Sequence, residues 1–129
     1  MTQKMLMIAF AGALGTLARY GMTGVVQRMA GASNFPWGTV AVNIAGCFIA
    51  GLLWSLLNGK IKLDPGLQLA LFIGFMGAFT TFSTFILETG HLVSQDAWLH
   101  AGANVLMQNV IGMCSMAAGL ALGKFSWPV

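Results

Sequence analysis

Between Gly74 and Glu88 the chain reads GFMGAFTTFSTFILE, and this stretch holds most of the side chains that could do chemistry. Two glycines and a run of hydroxyls fall inside a segment that must lie within a membrane. On a continuous helix Phe79, Phe82 and Phe85 recur every third residue and share a face, while Thr80, Thr84 and Glu88 recur every fourth and form a polar stripe. Hydroxyls donate and accept hydrogen bonds, and a phenyl ring has a positive edge that favours an anion at its rim. Joined by the Asn43 carboxamide, the hydroxyls of Ser83 and Thr84 and these ring edges could replace part of the hydration shell of a small anion. Asn43 sits near the middle of another apolar segment, with Thr39 one turn earlier on the same face; such an asparagine serves equally well as glue between helices.

The other polar residues at membrane depth are few. Arg19 would cost roughly 2.5 kcal/mol or more in hydrocarbon, so it must face protein or water. It reads as a fixed charge supporting an anion path or a subunit contact, or else as an arginine snorkelling to the interface. Glu88 is the only acid well inside a crossing, where it is protonated, paired with a base, or at the mouth of a water-filled vestibule. Asn104, Gln108 and Ser115 share one broad helical face from which Asn109 is offset, and either face could continue a polar track. His91 and His100 lack metal-ligand spacing and read as solvated loop residues, and Cys47 and Cys114 as small apolar packing residues. No nucleophile, base and orienting group can be assembled, so the chain is not read as an enzyme.

The elements that must position these groups follow from hydropathy. With 57% hydrophobic and 7% charged residues among 129, this is the composition of a membrane protein. No charge falls between Met29 and Gly59 or between Leu67 and Leu87, and only the titratable His100 falls between Ala97 and Gly123. Each interval accommodates the roughly 20 residues that cross a hydrocarbon core. The first segment is apolar from Met5, runs through Arg19 and Tyr20 toward Val26, and lacks a small-residue cleavage site, so it is kept as a helix. The expected fold is all-α: one membrane domain over 1–129, with helices at about 5–28, 36–58, 65–93 and 97–123 and a break in the third near 74–81.

Local signals refine this outline. Ala11, Gly12 and Gly15 give the first helix a small-residue face, as Gly119 and Gly123 do the last. Pro36 suits a first helical turn and Trp37 an interface anchor. Asp64 followed by Pro65 marks a capped helix start, and Asp96 is expected to cap the fourth helix. Lys124 and Trp127 suit an interfacial end. Four crossings leave both termini on one side, with Lys4, Lys60, Lys62 and Lys124; Arg28 stands on the other, so the termini lean toward the cytoplasm. The net charge of +3 is too small for nucleic acid and fits lipid-facing ends. No internal repeat is visible, so any inverted pair has to come from two copies of the chain.

PWGT at Pro36 to Thr39, VN at Val42 and Asn43, the pair Arg19 and Tyr20, and above all GFMGAFTTFSTF at Gly74 to Phe85 followed by Glu88 together resemble the Fluc/CrcB family of bacterial fluoride channels. The resemblance spans almost the whole chain. It implies a homodimer of four-helix subunits inserted antiparallel (dual topology) in the bacterial inner membrane, with two fluoride pores and a structural sodium ion at the dimer centre. It also implies passive export of fluoride from the cytoplasm. The backbone carbonyls of Gly77 and Thr80 would hold sodium, Phe82 and Phe85 would be the pore phenylalanines, and Asn43 would donate to fluoride. Ser83, Thr84, Glu88, Thr39 and Asn109 would line the rest of the track, and Phe79 would pack. One turn after Asn109, where many relatives carry a hydroxyl, this chain has Met113. Two other classes compete with this one. A small multidrug-resistance-like proton antiporter needs a buried glutamate in its first helix, whereas the first acid here is Asp64. A non-transporting membrane subunit would not need hydroxyls and aromatics gathered at a helix break.

Overall fold

Local chemistry sets most of the helix ends. The computed structural model describes residues 1–59 and 61–125; Lys60 and Trp127, expected in a loop and at an interface, lie outside them. α1 spans Thr2–Met29 and α2 spans Trp37–Gly59. α2 begins just after Pro36, whose carbonyl accepts from Val40 N at 3.1 Å, so the proline sits at the cap and not inside the first turn. α3 covers residues 65–79; Asp64 Oδ1 accepts from Gly66 N at 2.8 Å and Pro65 needs no donor at the first helical position. Within α3, Ala70–Met76 widens into a π-helical segment.

α4 spans Phe82–Ser94, and α5 covers residues 98–125 with a second π-helical segment at Met107–Ile111. Asp96 does not cap α5. It adopts φ 57, the left-handed region that aspartate tolerates better than most residues, and its amide closes the turn onto Val93 O at 3.0 Å; Ala97 precedes the helix with no side-chain cap.

All described secondary structure is helical, and four stretches are long and apolar enough to cross a membrane: Thr2–Met29, Trp37–Asn58, Pro65–Ser94 and Trp98–Phe125. Large apolar side chains such as Leu6, Phe10, Leu17, Leu87 and Leu106 point outward. In water this surface would be a severe liability, whereas in lipid it is the proper solvent-facing side. The chain is a multi-pass membrane protein.

Because lipid is as apolar as leucine, helix pairs here are held by close backbone approach. α2 and α5 meet where Gly51 faces the carbonyl of Met116, Gly119 that of Phe48, and Gly123 the Ser55 side chain. α1 and α3 meet where Gly15 faces the Phe75 carbonyl and Gly74 lies against Ile8 O, 2.7 Å from where a Cβ would stand. Between these pairs lies the buried cluster of Val42, Met76 and Phe79, packed by Ala18, Met22, Ala45 and Ile49. α2 is the central element, and it carries Asn43 toward the junction of α3 and α4.

Candidate functional site

The helical hydrogen-bond pattern stops at Phe79 and restarts at Phe82. Thr80 (φ −83, ψ 158) and Thr81 (φ −149, ψ 111) are extended. Backbone freed in this way needs partners inside the protein. Asn43 supplies them: its Oδ1 accepts from Thr81 N at 2.8 Å and its Nδ2 donates to Thr81 O at 3.0 Å. One side chain thus pairs both backbone groups of one residue, as a neighbouring strand would. Gly46, one turn along α2, leaves the space that the Thr80 methyl fills. Thr81 in turn caps α4, its Oγ1 accepting from Thr84 N at 3.3 Å and donating to Thr84 Oγ1 at 2.9 Å.

From Asn43 a ladder of carboxamides runs into α5. Asn43 Nδ2 donates to Gln108 Oε1 at 2.6 Å, Gln108 Nε2 to Asn104 Oδ1 at 2.9 Å, and Asn104 Nδ2 to Thr89 Oγ1 at 2.9 Å; the Thr89 hydroxyl then donates to Phe85 O at 2.7 Å. Asn104 is fully buried. The ladder joins the helix break to the middle of α4 by way of the π-helical turn of α5.

Of the aromatic residues, Phe82 is 72% exposed and Phe85 5%, their ring centroids 5.5 Å apart and tilted at 58°. Phe79 does not share their face, because the extended pair at 80–81 resets the helical phase. It lies in the core and stacks on Phe75 at 5.8 Å. Thr80 leaves the expected stripe for the same reason, its hydroxyl donating back to Met76 O at 3.0 Å. Thr84 and Glu88 remain on one α4 face.

Three cavities share walls at these residues. One of about 470 Å³ is lined by Asn43, Gly77, Thr80, Phe82, Phe85 and Gln108. A second, about 460 Å³, is lined by Arg19, Arg28, Thr39, Thr81, Thr84 and Glu88. The third, about 510 Å³, takes in Gln27, Asn34, Thr39, Glu88 and His91. Thr81 borders the first two, and Thr39 and Glu88 border the last two. Thr39 Oγ1 donates to Glu88 Oε1 at 2.8 Å, and Glu88 Oε2 is buried without a hydrogen-bond partner among the described residues. Arg19 and Arg28 give the second cavity its positive charge. Ser83 is exposed, 3.5 Å from Thr81 Oγ1. Asn109 lines the first cavity but donates to Val105 O at 2.8 Å, so Gln108 is the α5 residue bonded to Asn43.

Thr81 and Thr89 are the members of this site that residue type and spacing did not single out, while Asn104 and Gln108 were placed only on a face that could continue a polar track. The spacing of Asn104 and Gln108 by four residues was a usable signal, and so was Thr81 three residues ahead of Thr84, a cap spacing. Nothing local marks Thr89. No cluster of three or more His, Cys, Asp or Glu side chains suited to a metal occurs among the described residues.

Residues 6–120 match the family model described as CrcB-like protein, Camphor Resistance (CrcB). The chain belongs to the CrcB family. Relatives extend over nearly its full length. The fluoride-specific ion channel FluC of Desulforapulum autotrophicum is 49% identical over 124 residues, covering 96% of this chain and 98% of that protein. The protein of the same description from Solidesulfovibrio magneticus is 48% identical and that from Nitrosococcus oceani 42%, each over 124 residues, with 96% of this chain and 98% of the relative covered. Asn43, the interrupted third crossing and the carboxamide ladder all fall inside the CrcB-matched segment, which leaves out only short stretches at the two ends.

Proposed function

We propose that this CrcB-family chain is a fluoride-selective channel that lets fluoride leave the cytoplasm passively. The observation that carries the reading is the meeting of the Asn43 carboxamide with Phe82 and Phe85 at an interrupted membrane helix, in a family whose similar members bear the name of fluoride-specific channel. Fluoride is small and strongly hydrated, so a pore must return hydrogen bonds for the water it strips away. Carboxamide and hydroxyl donors do so, and ring edges add favourable contact without a fixed charge that would trap the ion. Arg19 and Arg28 raise the local anion concentration in the neighbouring cavity, which shares Thr81 with that of Asn43, Phe82 and Phe85. The negative-inside potential assists exit.

The functional unit we propose is an antiparallel homodimer in the bacterial inner membrane, with two pores. The support is the wide cavity beside Phe82, which one subunit leaves open, and the absence of any internal inverted repeat in the sequence. Sodium at the dimer centre fits the backbone of the break. In a regular helix the amide of Thr81 would close on Gly77 O and that of Thr84 on Thr80 O. Here those amides go to Asn43 Oδ1 and Thr81 Oγ1, so both carbonyls lose their helical donors. Two such oxygens, doubled by a second copy, make a ligand set for a hard monovalent cation, which would tie the two breaks together. A proton antiporter of the small multidrug-resistance type is disfavoured because α1 carries no acid.

Efflux from liposomes holding only this purified protein tests the proposal, with fluoride and chloride compared by ion-selective electrode. Rapid fluoride loss with chloride retained is expected. Equal loss of both ions, or none from folded protein, would overturn it.

A further inference from the structure

The carboxamide ladder has a direction. In the structure its donor-to-acceptor sense is set by the backbone at Asn43 and runs out onto backbone at Thr89. Thr81 N–H only donates, which orients Asn43; each carboxamide then orients the next, and the Thr89 hydroxyl ends on Phe85 O, which only accepts. In this state both Asn43 N–H groups are engaged, one on Thr81 O and the other on Gln108 Oε1. An anion reaching Asn43 from the cavity of Phe82 and Phe85 must take the place of the Gln108 oxygen.

The reverse sense satisfies the same groups except the Asn43 N–H that faces Gln108. If the Gln108 carboxamide turns over, its Nε2 points toward Asn43 and the anion. Asn104 turned over donates to Gln108 Oε1, and the Thr89 hydroxyl swings from Phe85 O to Asn104 Oδ1. Phe85 O keeps the Thr89 amide, its regular helical partner in α4, so reversal strands no group at the Thr89 end of the ladder. Without an anion the reversed ladder sets two N–H groups against each other at Asn43, and this disfavours it. With an anion between them, both donate to it.

We propose, building on the fluoride-channel reading, that Gln108 is a second carboxamide donor to the permeating anion, brought into use by reversal of the Asn43–Gln108–Asn104–Thr89 ladder. A neutral carbonyl accepts from the outward N–H of Asn43, and an anion of sufficient charge density exchanges that carbonyl for a donor. A charge-assisted bond is stronger than the amide–amide bond it replaces, so the reversed state wins only while the ion is present. Gln108 belongs to the π-helical turn Met107–Ile111, a local widening of the kind often found at functional sites.

The test uses the full-length protein in lipid bilayers. Magnetic-resonance dephasing of side-chain nitrogens by 19F in glutamine-labelled protein should place one glutamine nitrogen within about 3 Å of bound fluoride. Of the five glutamines in the sequence only Gln108 lines that cavity. No dephasing in protein that conducts fluoride would overturn the inference, whether or not any variant folds. In parallel, Gln108→Met keeps the length of the side chain and removes both polar groups; fluoride efflux should fall roughly tenfold or more, the loss of one hydrogen bond to a charged partner. Thr89→Val should lower efflux and Thr89→Ser should preserve it. Wild-type efflux in folded Gln108→Met would refute the donor role while leaving the channel intact, whereas wild-type protein that moves no fluoride at all would remove the channel reading itself.

Discussion

Asn43 does two jobs with one carboxamide. Its oxygen and one N–H hold Thr81 extended, and the other N–H faces Gln108 beside the phenylalanine pair. Asn43→Asp separates these jobs. The aspartate oxygen still accepts from Thr81 N, so the break keeps one of its two ties, but both donors vanish and a negative charge faces the anion path. Fluoride efflux should drop at least about a hundredfold, since lost donation and like-charge repulsion add. Efflux from liposomes checks this, with elution of the purified variant as the folding control; retained flux would remove Asn43 from the path. The phenylalanines divide differently. Phe85 is buried and Phe82 is not, so only Phe82 is free to act without supporting the fold of its own subunit. Residue type and position pointed to Asn43 and to Phe79, Phe82 and Phe85 together, and only the family resemblance separated the last two from Phe79. The sequence could not indicate Thr89, whose part depends on Asn104, 15 residues further along the chain.

At the scale of elements, membrane helices here are joined by missing side chains. Gly119 on α5 lies so close to the Phe48 carbonyl of α2 that an added Cβ would overlap backbone, which moves only if the helices part. Gly119→Ala should therefore destabilise the subunit by about 1–3 kcal/mol, the usual cost of overpacking, and lower its melting temperature in detergent. Gly102→Ala, where nothing lies within 4 Å of the new Cβ, is the control and should leave melting unchanged or slightly raised. Equal melting of the two variants would show that α2 and α5 do not rely on this approach. These glycine faces were readable from spacing, and so was the aspartate–proline start of α3. The phase of the third crossing was not. A helical wheel drawn straight through Thr80 and Thr81 puts Phe79 beside Phe82. The break lies at those two residues because Asn43, 38 positions away in sequence, supplies the hydrogen bonds that the helix gives up. The turn before α5 misled for a similar reason: Asp96 takes a left-handed conformation that closes α4, which removes it from the cap position of the next helix.

At the scale of the whole molecule the exposed residues divide the surface unevenly. Most outward side chains are simple apolar groups suited to lipid, but beside Phe82 the surface opens into a cavity holding Asn43, Gly77, Thr80 and Gln108. Carbonyls without helical donors and carboxamides are costly against hydrocarbon, so this side calls for a protein neighbour. A second copy in the opposite orientation would set break against break. That arrangement requires both orientations to exist in one membrane, even though Lys4, Lys62 and Lys124 stand at one end and Arg28 at the other. Lys62→Cys, in a background carrying Cys47→Ala and Cys114→Ala, makes the point measurable. An impermeant maleimide applied to intact cells should label about half of the protein, and permeabilisation should expose the remainder, because equal insertion is what pairing of opposite copies demands. Labelling wholly from one side would replace the antiparallel dimer with a parallel one, and the carbonyls at Gly77 and Thr80 would then need a different partner.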